Sequence, residues 1–114
     1  MTLTIYHLKS CDTCRKAIKS LGAAGHDLTL VDVRADGMPK RVLSDLISDK
    51  SWEAVLNRRS TTWRGLPEAD KSNLTDEKAA ALIAAHPTLM KRPLIISEDQ
   101  STIGWRADVQ DIWL

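Results

Sequence analysis

Cys11 and Cys14 are the two cysteines of the chain, set three residues apart in Ser10-Cys11-Asp12-Thr13-Cys14-Arg15, after a short apolar run and at the opening of a helical pattern. On a helix, residues at i and i+3 share a face, so thiols at this spacing can come close enough for disulfide exchange. A first-turn cysteine also sits among backbone N–H groups without intrahelical partners, at the positive end of the helix dipole. Both favour thiolate, the attacking species, over thiol. A free thiol with a pKa of about 8.5 is only about 3% ionised at pH 7, so useful reactivity needs a downward shift. The dipole supplies roughly 0.3 to 1 kcal/mol, less than a pKa unit, whereas one arginine within about 4 Å could add up to ~4 kcal/mol at an intermediate dielectric. Arginines are therefore expected to do most of the activating, with Asp12 opposing them unless its side chain caps helical N–H groups.

Two other uses of the pair compete with this one. Cys14 falls on the apolar face of the helix and could be a small buried core residue that never reacts. Zinc could also be held by Cys-x-x-Cys, but His7, His26 and His86 show no spacing that completes a four-ligand set, so no metal is expected.

Size and charge bound the setting. With 114 residues, 43% of them hydrophobic, the chain reads as a single domain over 1–114, large enough to bury a core without disulfide or metal staples. The N-terminus has no basic segment followed by a long apolar one, and no stretch approaches membrane-spanning length. A cytoplasmic location is expected, where Cys-x-x-Cys is more often catalytic or metal-binding than structural. A formal net charge of +1 gives no global attraction to nucleic acid or anionic lipid, so any anion site must be local.

The elements that would position the thiols follow from pattern. Leu3 to Tyr6 reads as a strand and His7 to Ser10 as a turn. Cys14, Ala17, Ile18 and Leu21 repeat at helical spacing, and Gly22 and Gly25 bracket the helix end. Leu28 to Val33 reads as a second strand, which makes a β-α-β unit with parallel strands. Asp36-Gly37 is a turn and Pro39 suits a first helical position ahead of Val42, Leu43, Leu46 and Ile47. Trp52, Val55 and Leu56 suggest a short helix before the polar, basic stretch 57–64, with a break at Leu66-Pro67. Thr75 is an N-cap for a helix through Ala85, stopped by His86-Pro87. The region of about 38–90 thus reads as a helical insertion. Leu94 to Ile96 is a third strand, Glu98 to Ser101 a turn, Thr102 to Trp105 a fourth, antiparallel strand, and Val109, Ile112 and Trp113 fit a terminal helix beginning at Arg106. Pro93, at the start of a strand, could be cis.

A β-α-β unit first, β-β-α last and Cys-x-x-Cys at the first helix resemble a thioredoxin-like α/β fold with a mixed four-stranded sheet. Tyr6-His7, Cys11-Asp12-Thr13-Cys14-Arg15-Lys16-Ala17, Leu56-Asn57 with Arg59-Ser60-Thr61-Thr62-Trp63-Arg64, and Lys91-Arg92-Pro93-Leu94-Ile95 together resemble the arsenate reductase (ArsC)/Spx family over nearly the whole chain. The resemblance implies that Cys11 is the nucleophile, with Arg15 beside it in the catalytic run. It implies that Arg92 and Arg106 bind an oxyanion, that Pro93 is a cis-proline and that Arg59 adds to substrate binding.

Departures from the family locate the branch. Asn57 stands where arsenate reductases of the glutaredoxin-linked type have a further arginine, and Leu8, Lys9 and Cys14 replace their His-Asn-Pro lead and their serine. Arg59-Ser60 resembles the Spx regulators and the YffB-like, glutathione-linked reductases, and Thr61-Thr62-Trp63-Arg64 favours the latter.

The expected chemistry is thiolate displacement. Cys11 attacks a disulfide sulfur, or an oxyanion such as arsenate, held by Arg92, Arg106 and Arg59; glutathione or Cys14 resolves the adduct, and a glutaredoxin- or thioredoxin-type dithiol reduces any internal disulfide. Glutathione is then a co-substrate, with no tightly bound cofactor. Arginine suits the role because its planar fork grips a carboxylate or oxyanion through two hydrogen bonds. The alternative is an Spx-like regulator that binds the RNA polymerase α subunit and uses the thiol pair as a redox switch, without direct nucleic-acid contact. Arg58, Arg59 and Arg64 also have a plain reading as solvated loop charges, and Trp63 and Trp105 as packing residues.

Overall fold

The computed structural model describes residues 2–114. The chain divides into two compact units, one formed by residues up to Asp36 together with Arg92–Leu114, the other by Gly37–Lys91.

In the first unit, β1 (Thr2–His7), α1 (Asp12–Ala23) and β2 (Asp27–Asp32) form the β-α-β element, with β1 and β2 adjacent and parallel. A one-turn helix α2 (Val33–Asp36) follows directly. The chain returns as β3 (Leu94–Ile96) and β4 (Ser101–Ile103) and closes with helix α8 (Ala107–Trp113). Strand order is β2-β1-β3-β4, with β1/β3 and β3/β4 antiparallel. This is the mixed four-stranded sheet of a thioredoxin-like fold.

Side-chain alternation explains the layers. Leu3 and Ile5 leave β1 on one face and pack with Leu21 of α1, Ile95 of β3 and Val109 and Trp113 of α8, with Ile18, Leu28 and Trp105 against them. Full burial of each such aliphatic side chain contributes roughly 1.5 to 3 kcal/mol. The Trp113 indole N–H finds Thr102 Oγ1 at 2.8 Å, which satisfies the one polar atom it brings into the core. At the far end of α1, Gly25 takes φ +93, and the N–H groups of Gly25 and His26 donate to the carbonyls of Gly22 and Leu21 at 3.1 and 3.2 Å. That is a Schellman ending, which needs the left-handed conformation glycine adopts without penalty.

The second unit holds α3 (Lys40–Lys50), α4 (Trp52–Val55), α5 (Thr61–Arg64), α6 (Glu68–Lys71) and α7 (Asp76–Ala85), then a 3-10 turn at Pro87–Leu89. Helices α3, α4 and α7 pack on one another, burying Leu43, Leu46, Ile47, Val55, Ala79 and Ile83. Thr75 Oγ1 accepts the Lys78 N–H at 3.1 Å, the N-cap its sequence position predicts.

Several boundaries differ from the sequence reading: His7 and Ser101, read as turn residues, belong to β1 and β4, Leu56 is the C-cap of α4, and three further differences have local causes. Val33 was expected in β2 but starts α2, because the Asp32 carboxylate accepts the N–H groups of Arg34 and Ala35 and turns the chain. Trp105 was expected in β4, which ends at Ile103; Gly104 follows at φ +87, its N–H donating to Pro93 O at 2.9 Å. Pro39 is the N-cap of α3 rather than its first residue.

Candidate active site

Strand register gathers the site at one end of the first unit's sheet. β1 and β2 both end there, at His7 and Asp32. β3 begins there, since Leu94 pairs with Tyr6, and β4 ends there, since Ile103 pairs with Leu94. Cys11 leaves this end after β1, Arg92 enters just before β3, and Arg106 lies three residues beyond β4. Residues far apart in sequence thus leave or enter the sheet at the same end, beyond the carboxyl ends of the parallel strands, where open α/β sheets place their ligands.

The turn from β1 into α1 closes when the Cys11 N–H donates to Leu8 O at 3.1 Å. Cys11 is the N-cap of α1, with extended backbone, and its Sγ accepts the Cys14 N–H at 3.4 Å. The cap is therefore the sulfur itself rather than the Asp12 carboxylate. Asp12 instead forms an ion pair with Arg15 one turn along the helix, both side chains exposed. Arg15 is turned to that carboxylate.

Both cysteines are free thiols, Cys11 half-buried and Cys14 fully buried. Burial pushes the Cys11 thiol up, but the thiol and backbone N–H of Cys14, followed by the hydrogen bond and charge of Arg92, outweigh it and hold the pKa below the ordinary value. Burial pushes Cys14 up as well and there prevails, taking it to about 12; the Leu8 backbone resists, while the hydrogen bond and charge of Cys11 add to the rise. One hydrogen bond serves both effects, because a Cys14 S–H that donates to a Cys11 thiolate stabilises the charge on one sulfur and the proton on the other.

Arg92 is half-buried, joined to a buried Pro93 by a cis peptide bond. Arg106 behaves differently. It is the N-cap residue of α8, and its exposed side chain donates from Nε to Asp108 Oδ1 at 3.3 Å. The topology brings its backbone to the Cys11 end of the sheet, while the guanidinium is engaged with its own helix. That partner was not anticipated; the Arg-x-Asp spacing at a helix start was the available signal.

Arg59 belongs to the second unit and is exposed. Its N–H donates to Asn57 Oδ1 at 3.1 Å, while the Asn57 N–H donates to Leu89 O at 2.6 Å. Ser60 Oγ then accepts the Trp63 N–H at 3.1 Å and starts α5. Asn57, where an arginine was expected by resemblance, is thus an Asx-turn residue that shapes the Arg59 loop. Arg58 stacks over Trp52, 5.8 Å from the ring centroid, and Lys71 lies at the same distance over Trp63. Both tryptophans are therefore cation platforms within this unit. Among the described residues no group of three His, Cys, Asp or Glu side chains is placed to hold a metal ion, and no helix is long and apolar enough to cross a membrane.

A thioredoxin-like sheet with a capping, half-exposed cysteine at the first helix and an arginine before a cis-proline defines a class of thiol-bearing proteins. Residues 6–111 match the ArsC family, and the chain belongs to it. An uncharacterized protein of Haemophilus influenzae is 38% identical over 103 residues, spanning 90% of each chain. The global transcriptional regulator Spx of Listeria monocytogenes is 28% identical over 112 residues, 93% of this chain and 82% of the regulator. Among solved structures, the YFFB (PA3664) protein superposes with a TM-score of 0.92 at 32% identity over 98% of both chains. An arsenate reductase (ArsC) related protein from Brucella melitensis gives 0.75 at 34% identity, over 99% of this chain and 94% of that one.

Proposed function

We propose that the chain is a thiol-dependent oxidoreductase in which Cys11 is the attacking thiolate and glutathione is the co-substrate. The observation that carries this reading is the division of labour between the sulfurs: Cys11 is partly exposed with its pKa lowered, and Cys14 is buried with its pKa raised to about 12. In a disulfide substrate the Cys11 sulfur bonds to one substrate sulfur as the substrate S–S bond breaks, and the other sulfur leaves as thiolate. Glutathione thiolate then attacks the mixed disulfide, regenerating Cys11 and forming a new disulfide with the bound thiol.

With arsenate, Cys11 displaces an oxygen that leaves as water; glutathione then attacks the Cys11 sulfur, releasing arsenite and leaving a Cys11–glutathione disulfide for a second thiol to reduce. Cys14 can resolve the adduct instead, giving an internal disulfide for a glutaredoxin- or thioredoxin-type dithiol. Once Cys11 is in a mixed disulfide it no longer holds the Cys14 proton, but burial still does, and this favours glutathione as the resolving thiol. Arg92 and Arg106 supply guanidinium forks for the substrate carboxylate or oxyanion. Arg59 is added to them on family pattern alone, and Arg15 acts as the partner of Asp12. A thiol kept reduced between turnovers fits the cytoplasm.

Intact-mass measurement after incubation with oxidised glutathione tests this reading. The expected result is one glutathione adduct on Cys14→Ser and none on Cys11→Ser; equal uptake by Cys11→Ser and Cys14→Ser would overturn it.

The similarity to Spx supports a second reading, in which the thiol pair is a redox switch for binding the RNA polymerase α subunit. Capture of that subunit in one oxidation state only, with no turnover of any disulfide, would favour the switch over the enzyme.

A further inference from the structure

Of the arginines at the Cys11 end of the sheet, Arg92 acts on the sulfur, whereas Arg15 and Arg106 each have a carboxylate partner from their own helix, Asp12 and Asp108. The Arg106 pair is the informative one. Asp108 stands in the first turn of α8, and Arg106 leaves the sheet where β4 ends beside the start of β3. Among the described residues, Arg106 is engaged through Nε, at 3.3 Å, which leaves the terminal nitrogens available to a second acceptor. Both side chains are 70% exposed, so the pair is a weak, solvent-screened contact that an incoming anion can displace. The Arg106 hydrogen bond in turn holds the Asp108 carboxyl below its usual range, so Asp108 is charged and competing throughout neutral pH.

We propose that Asp108 is a positioning residue whose carboxylate competes with an incoming anion for Arg106, and so sets how strongly the Cys11 site prefers anionic over neutral substrates. The inference rests on the reading of Cys11 as a reactive thiolate. It makes Arg106 a guanidinium in reserve, internally neutralised until a ligand carboxylate or oxyanion draws it away. Because the pair is weak, the effect is graded and does not act as a lock.

Iodoacetate and iodoacetamide separate the two claims. Each forms an S–C bond to Cys11 while the C–I bond breaks and iodide leaves, so the ratio of their rates cancels the thiolate fraction and reports only the preference for a carboxylate over an amide. Asp108→Asn is expected to raise the iodoacetate-to-iodoacetamide ratio about two- to fivefold, the range of a surface ion pair. Asp108→Glu, whose longer arm still reaches the guanidinium, returns it toward the wild-type value. In an Arg106→Gln background, Asp108→Asn should leave the ratio where it was. A ratio unmoved by Asp108→Asn overturns the proposal, as does a rise that persists without Arg106, which would make Asp108 a bulk charge. An iodoacetamide rate at Cys11 no faster than that of an ordinary thiol counts instead against the oxidoreductase reading.

Discussion

The Cys11 sulfur accepts the backbone N–H of Cys14 at 3.4 Å, so the residue that carries the reactive sulfur is also the residue that caps α1. Capping and activation are thus one interaction. A cap normally satisfies an orphan donor with a hydroxyl or carboxylate oxygen; here the acceptor is a sulfur that accepts better once it is charged. The Cys14 side chain reinforces this from beneath, because its buried thiol keeps its proton and can donate it.

That arrangement makes stability depend on alkaline pH. The Cys14 thiol ionises near its ordinary value, about 9, in the unfolded chain, but only at about 12 in the folded one. Between these values the unfolded state binds fewer protons than the folded state, so stability is intact below about 9 and falls as pH rises toward about 12. The slope contributed by this group approaches ~1.4 kcal/mol per pH unit at its steepest. Urea unfolding from pH 8 to pH 11 checks it. Cys14→Ala should flatten the alkaline fall, and an equally steep fall in that variant would show that the loss originates elsewhere.

The Asn57 side chain gives a second prediction, independent of the thiols. Its Oδ1 accepts the Arg59 N–H in an exposed turn, so Asn57→Ala should cost about 1 kcal/mol of unfolding free energy, while Asn57→Asp, which keeps the acceptor, should cost less. Chemical denaturation of the three proteins at neutral pH reads this directly. Equal losses in both variants would mean that the amide nitrogen, not the oxygen, carries the interaction.

The sequence made some of these features legible and hid others for identifiable reasons. The helix from Asp12 was readable because Cys14, Ala17 and Leu21 repeat on one face, and the end at Gly25 because that position needs a left-handed backbone. The sheet was readable from the short β-branched runs at Leu3 and Leu94. Helices α2, α5 and α6 span four residues each and lack the apolar spacing of Trp52, Val55 and Leu56 that marks the equally short α4. The arginines were visible as residue types, but not the partner each would choose. Arg92 acts on Cys11 from 81 positions away in sequence through the β1/β3 register, whereas Arg106, arriving at the same sheet end, is drawn to a carboxylate two residues along. Local ion pairs of this kind compete with long-range ones on terms that residue spacing does not display.

The most direct test of the account is the pH dependence of Cys11 alkylation by iodoacetamide, in wild type and in Arg92→Ala, with far-UV circular dichroism to establish that both are folded. The account predicts that the wild-type inflection lies below the ordinary thiol value and that Arg92→Ala moves it upward, with a matching loss of rate at pH 7. An inflection at the ordinary value, unmoved by the substitution, would contradict it.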